Sequence, residues 1–204
     1  MPPLPRVLVT GAAGFLGQAL VSVLRHAGFA VRSLDVTALP YSLRGACEEL
    51  VGDIADPSLA TRACEGVDSL VLAHMAPNRP EVYASPNLPF DVNVKGTALL
   101  LDAASKARLR RAVLVSSIAV VEGHLGGAAR ITLDLPPAPT SPYGFTKQLQ
   151  EDILSYYHRR GGLLTAILRP AYVTDEDNLT DKYGRRMPSV NWQFIDRRDV
   201  AGAV

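Results

Sequence analysis

The chain alternates short apolar runs with longer stretches of helical spacing. Residues 6–10, "RVLVT", are a β-rich run ending in a glycine turn, and Ala12 to Ala27 follows with apolar side chains at Phe15, Leu16, Leu20, Val23 and Leu24. The pattern predicts a strand, a turn and a helix. The same reading places strands at 29–36 ("FAVRSLDV"), 48–54 ("EELVGDI"), 69–74 ("SLVLAH"), 111–117 ("RAVLVSS") and 163–169 ("LLTAILR"). Helices are expected from Pro57 to Cys64, over 91–107 with Asp91 as the cap, and from Pro142 to His158 behind a proline-rich loop. A run such as "RAVLVSS" is apolar in the manner of a strand covered on both faces. Six such strands separated by helices predict an α/β fold, a doubly wound parallel sheet with right-handed crossovers. No solenoid-period repeat is present, and 134–140 is the one low-complexity stretch.

Composition narrows the class. With 204 residues the chain is long enough to bury a substantial core, and 48% apolar with 20% charged residues is a globular balance. Lys plus Arg number 21 against 20 Asp plus Glu, so no global field points to nucleic acid or a membrane surface. Cys47 and Cys64 are too few and too far apart for a disulfide framework, and no metal-ligand spacing occurs. "MPPLPRVLVT" lacks the layout of a signal peptide, so a cytoplasmic location is expected.

The glycine turn carries the first candidate chemistry. "TGAAGFLG" sets Gly11, Gly14 and Gly17 where the first strand enters the first helix, so the backbone is open to a pyrophosphate at the helix N-terminus. Glycines also serve tight turns, but this triplet lies in the first strand-helix unit, as dinucleotide binding requires. Asp35 closes the second strand at the spacing expected for an acid that accepts hydrogen bonds from an adenosine ribose. An acid at that point would repel a 2'-phosphate, which favours NAD over NADP, although Arg32 lies earlier in the same strand.

"SPYGFTK" carries the second. Tyr143 and Lys147 are i and i+4 on the expected helix, hence on one face. A free tyrosine ionises near ~10, and a neighbouring ammonium favours its phenolate, so the pair is able to move protons. Most such pairs are only helix surface. Here Ser117 ends the preceding strand and would face the same crevice, placed to hydrogen-bond a substrate hydroxyl or carbonyl.

With these residues in place the chain resembles the extended short-chain dehydrogenase/reductases, the NAD-dependent epimerase/dehydratase family. The match is carried by "TGAAGFLG", "GDI", "VLAHMA", "NVKGTALLLDAA", "VSSIAVV", "SPYGFTK" and "LRPAYV", in order over residues 6–173. The resemblance implies a Rossmann-fold NAD-binding domain at 1–173 and a reduced C-terminal substrate segment at 174–204 that packs on it. It implies Tyr143 as acid/base, Lys147 as holder of the nicotinamide ribose that also lowers the tyrosine pKa, and Ser117 as the group orienting the substrate oxygen. Cofactor contacts would come from Gly11, Gly14, Phe15, Leu16 and Gly17 in the turn, from Asp35, and from Asp53 and Ile54 against adenine. Ala73, His74 and Met75, Asn93, Tyr143, Lys147 and Pro170 complete that set. The partners implied are a small-molecule substrate and a second copy of the chain in a homodimer.

The implied activity is hydride transfer to or from a secondary alcohol or ketone, of a sugar nucleotide or of a small non-nucleotide molecule; a silent NAD-binding module is the third reading. Ser117 is followed by Ile118 and Ala119 rather than the acid pair of the family's 4,6-dehydratases, and Glu122 and His124 read as loop residues. "LRPAYVTDEDN" also departs, with Thr174 and Asp175 where a Tyr-Gly turn is common. Only a short span separates it from "FIDRRDVAGAV", and a helix from about Asp199 to Val204 needs something to pack on. A compact enzyme, a protein completed by another subunit, and a remnant without turnover all fit that shortening.

Overall fold

The computed structural model of the chain describes residues 4–45, 47–126, 130–175, 177–186 and 194–204. Of the C-terminal segment expected at 174–204, residues 176 and 187–193 lie outside the described residues. Six parallel strands, β1 (Arg6–Thr10), β2 (Ala30–Asp35), β3 (Glu48–Val51), β4 (Ser69–Leu72), β5 (Arg111–Val115) and β6 (Leu164–Leu168), form one sheet in the order β3-β2-β1-β4-β5-β6. The order reverses between β1 and β4, so a crevice opens beyond the C-terminal ends of those strands, where doubly wound sheets take ligands. Register holds the strand ends level: Thr10 pairs with Leu34 on one side and Leu72 on the other.

Helices cover both faces. On one side α1 (Phe15–His26) buries Leu20, Val21 and Leu24 with Val7, Val9 and Val31. On the other, α2 (Pro57–Cys64) and α5 (Pro142–Arg159) close the second core over Leu8, Leu70 and Leu114. The helix expected at 91–107 begins earlier, in three continuous pieces: α3 (Asn87–Pro89), a π-helical stretch (Phe90–Lys95) and α4 (Gly96–Lys106). Asp91 therefore lies inside the helical run and caps nothing; Pro86 stands at the start. Apolar periodicity misses this because a π-turn shifts the phase by one residue.

A second, three-stranded sheet follows β6. Strand β7 (Tyr172–Asp175) pairs antiparallel with β8 (Thr180–Asp181) and parallel with β9 (Phe194–Asp196). From β9 the chain enters α6 (Arg197–Gly202), whose cap is Asp196, accepting from Arg198 N–H, rather than a start near Asp199. That short helix is held because Ala201 joins the α1 core.

The entry from β1 to α1 fixes the position of the crevice. A Cβ on Gly17 would lie 2.0 Å from the Gly11 carbonyl oxygen and 2.7 Å from Ala12 Cα, so the helix sits on the turn at a distance only glycine allows. Replacing Gly17 with alanine forces backbone apart, and we predict a destabilisation of about 1–3 kcal/mol or more, read by urea unfolding. An unchanged midpoint would show that the turn has slack.

Candidate active site

Local sequence explains why α5 starts where it does. Ser141 Oγ accepts the Gly144 N–H at 3.2 Å and donates to Glu122 Oε2 at 3.2 Å, and Pro142 stands at the first helical position, where its missing N–H costs nothing. Gly144 allows the helix to dock, because a Cβ there would lie 2.6 Å from the Ala119 carbonyl oxygen. Glu122 also accepts from Thr140, and His124 Nε2 meets the Pro136 carbonyl oxygen, so both side chains lace the turn after Ser117 to the proline-rich loop.

Three polar residues on one face of α5, Tyr143, Lys147 and Glu151, run inward at i, i+4 and i+8. Lys147 is 2% exposed and donates from Nζ to the Val115 carbonyl oxygen at 3.0 Å, docking α5 on the end of β5. Burial, and then the nearby Lys182 ammonium, push Lys147 down to about 7, with Glu151 opposing. Glu151 is itself held by a bidentate ion pair with Arg169 (2.9 and 2.7 Å) and by Ser116 Oγ at 2.5 Å. Tyr143 is partly exposed to the cleft, edge-on to Tyr83 with centroids 6.0 Å apart. Burial raises its pKa, while the Ser117 hydroxyl acts in the opposite direction. The expected help from a Lys147 ammonium is not what sets Tyr143 in this arrangement, since desolvation drives both groups toward their neutral forms.

Tyr143, Lys147 and Ser117 meet the glycine turn in one cleft of about 490 Å³, within the range of small-molecule sites. Gly11, Gly14, Phe15, Leu16, Gly17, Ala73, Met75 and Pro170 line the same cleft. The N-terminus of α1 has no side-chain cap, so the amides of its first turn remain available to an anion. Asp35 ends β2 beside this turn: Oδ2 accepts the Ala13 N–H at 3.0 Å, and Oδ1 accepts the Thr37 N–H and hydroxyl. A carboxylate has about four acceptor positions, so Oδ2 keeps one for a ribose hydroxyl. Arg32 points away, donating to the carbonyl oxygens of Arg62, Ala63 and Glu65 at the end of α2 and pairing with Glu48 at 3.0 Å. The residues present therefore fit NAD, and Arg32 is not offered to a 2'-phosphate.

The remaining expected residues lie around the cleft rather than in it. Asp53 is exposed beyond β3 and accepts the Ala55 N–H, while Ile54 is buried under Gly96. His74 is buried between Thr10 (2.8 Å) and Thr97 (3.0 Å), and burial holds it neutral with a pKa of about 3. Asn93, in the π-helical stretch, accepts the Ala76 N–H and donates to Thr146 and Tyr83, so it ties the segment after β4 to the first turns of α5. Sequence reading missed Glu151 and Arg169, although the i+4 step from Lys147 was a signal. It also missed Arg79, Lys182, Tyr183 and Arg185, which line the cleft and which no local pattern marks.

The fold and this cleft define a dinucleotide-binding α/β protein with a Ser-Tyr-Lys cluster. The family model for the NAD-dependent epimerase/dehydratase family matches residues 7–201, and the chain belongs to that family, whose cofactor is NAD. It is 29% identical to L-arabinose 1-dehydrogenase (NAD(P)(+)) of Haloferax volcanii over 87% of this chain and 70% of that protein. Against uronate dehydrogenase of Pseudomonas syringae pv. tomato the figures are 30%, 95% and 67%. Among solved structures, a short-chain dehydrogenase/reductase superfamily protein from Agrobacterium tumefaciens with bound NAD is 38% identical, with a TM-score of 0.76 over 85% of this chain and 51% of that one. UDP-glucose 4-epimerase of Thermus thermophilus in complex with NAD gives 25% and 0.83 over 97% and 72%. The chain thus spans between about half and seven-tenths of the length of these relatives. No helix among the described residues is long and apolar enough to cross a membrane.

A buried lysine whose pKa falls from 10.5 to about 7 makes the unfolded chain the better proton binder between those values. Stability should therefore rise as pH goes from about 7 to about 10, and Lys147→Met should flatten the profile over that window. Thermal unfolding at several pH values checks this; an equally steep rise in the Lys147→Met protein would contradict it.

Proposed function

We propose that the protein catalyses NAD-dependent oxidation and reduction of a secondary alcohol or ketone, with Tyr143 as acid/base. The observation that carries this reading is the meeting of Ser117, Tyr143 and Lys147 with the glycine turn in one cleft. NAD, when bound, supplies the hydride acceptor or donor. The chain's own residues handle the proton and the geometry. Ser117 Oγ accepts the Ala119 N–H at 3.2 Å, and its hydroxyl, which also bonds Tyr143, is placed to turn to a substrate oxygen beside the phenol. Tyr143, held protonated by burial, donates to a carbonyl oxygen in reduction; in oxidation it acts as the phenolate, its own proton first released to water, and takes the hydroxyl proton. Lys147 fixes the floor of the cleft through Val115, and its remaining N–H bonds would hold a cofactor hydroxyl.

A sugar nucleotide and a small non-nucleotide molecule are both within this reading, as are epimerisation and simple dehydrogenation. The hydrogen bond from Tyr183 to the Asn78 carbonyl oxygen at the cleft narrows it and favours the smaller substrate. The described residues of 174–204 then serve the substrate side of the cleft, to which they bring Lys182, Tyr183 and Arg185. The exposed rings of Phe90 and Phe145, 6.3 Å apart on the outer helical surface, support a homodimer, which light scattering checks.

Tyr143→Phe should lower turnover by about 10²–10⁴-fold while NAD affinity stays within a few fold, followed by NADH absorbance and calorimetry. Undiminished turnover would overturn the assignment. Net NADH accumulation with substrate identifies a dehydrogenase, whereas product without net NADH identifies an epimerase.

A further inference from the structure

The cleft carries a group of cations for which proton and hydride chemistry has no use. Tyr183, in the turn after β8, is bound through its hydroxyl to the Asn78 carbonyl oxygen, which joins that turn to the segment after β4. Around its ring stand Lys182 Nζ at 5.1 Å, Arg185 Cζ at 5.0 Å and Arg79 Cζ at 5.8 Å from the centroid, all within cation–π range. All four side chains line the cleft that holds Tyr143.

The three cations are not equivalent. Arg185 is committed to Asp181 at 2.7 Å and to the Tyr172 hydroxyl at 2.7 Å. Among the described residues no carboxylate pairs with Arg79 or Lys182, and Lys182 reaches only the weak acceptor Met75 Sδ at 3.9 Å. Glu81 and Asp181 are in electrostatic range of Tyr183, but Asp181 is already saturated by Arg185, Tyr172 and backbone N–H groups. Lys182 is close enough to Lys147 to disfavour its charge, so two lysine side chains share one end of the cleft. Cations gathered in a cleft without matching acids attract and orient anions.

We propose that Arg79 and Lys182, joined through Tyr183, form an anion subsite that selects ligands bearing a carboxylate or a phosphate in the cleft of Tyr143. It rests on the hydride-transfer reading for the orientation of the substrate, and not for the binding itself. Tyr183 positions the two cations and supplies a ring face to the rest of the substrate.

The test measures binding in a protein that cannot turn over. In the Tyr143→Phe chain with NADH present, calorimetry compares glucuronate with glucose and uridine diphosphate with uridine. We expect at least one charged member to bind tenfold or more tighter than its neutral counterpart, with the preference shrinking at high salt. Adding Arg79→Gln and Lys182→Met should bring that ratio to within about twofold, while Arg79→Lys alone keeps most of it. Both positions are exposed, so folding should survive, and circular dichroism checks it. Loss of the glucuronate preference identifies a carboxylate ligand, and loss of the diphosphate preference a phosphate one; either supports the subsite. Equal binding of charged and neutral members, or a preference that survives the double substitution, overturns it. Because no turnover is needed, a failure of the hydride-transfer reading would appear separately, as a parent chain that binds these ligands without forming NADH or epimerised product.

Discussion

The hydrogen bond from Lys147 to the Val115 carbonyl oxygen is the contact on which the cleft depends. It places a lysine that is 2% exposed at the end of β5 and so sets the depth and rotation of α5. A shift from the ordinary lysine range down to about 7 corresponds to a cost on the order of a few kcal/mol. The surroundings offset part of that cost. Glu151 one turn further along the helix favours the ammonium, and Arg169 and Ser116 hold Glu151 in place. With α5 held this way, Tyr143 projects into the crevice one turn toward the helix N-terminus, where Ser141 and Gly144 dock the helix against the segment after Ser117.

A second constraint acts from the other side of the crevice. Gly17 lets α1 sit on the turn that follows β1, and Asp35 accepts a hydrogen bond from that turn at Ala13. The uncapped end of α1 and the carboxylate are thus parts of one rigid corner. The buried chain of Thr10, His74, Thr97 and Gln150 links this corner to α4 and α5 beneath the cleft. Because His74 is neutral there, the link adds no charge to a region already carrying Lys147.

Much of this was legible in the residues. The alternation of "RVLVT", "RAVLVSS" and "LLTAILR" with helical stretches marked the parallel sheet, and the turn glycines and "SPYGFTK" marked both halves of the cleft. The remainder is tertiary. A lysine at i+4 from a tyrosine reads as helix surface until the fold buries it. The π-helical stretch that aims Asn93 at Thr146 has no apolar signature of its own. Strands as short as Thr180–Asp181 are invisible to a period-two pattern, so the turn that brings Lys182 and Tyr183 over the cleft went unseen. Arg32 looked free to meet a phosphate along the strand, but in space it closes the end of α2.

The central claim is that the glycine turn, Asp35 and Lys147 form a seat for NAD beside Tyr143. Parallel calorimetric titrations with NAD and NADP test it most directly, because Asp35 would meet the adenosine ribose while Arg32 is engaged elsewhere. The account predicts saturable one-to-one binding of NAD and at least tenfold weaker binding of NADP. No binding of NAD, or NADP bound as tightly or more tightly, would contradict it.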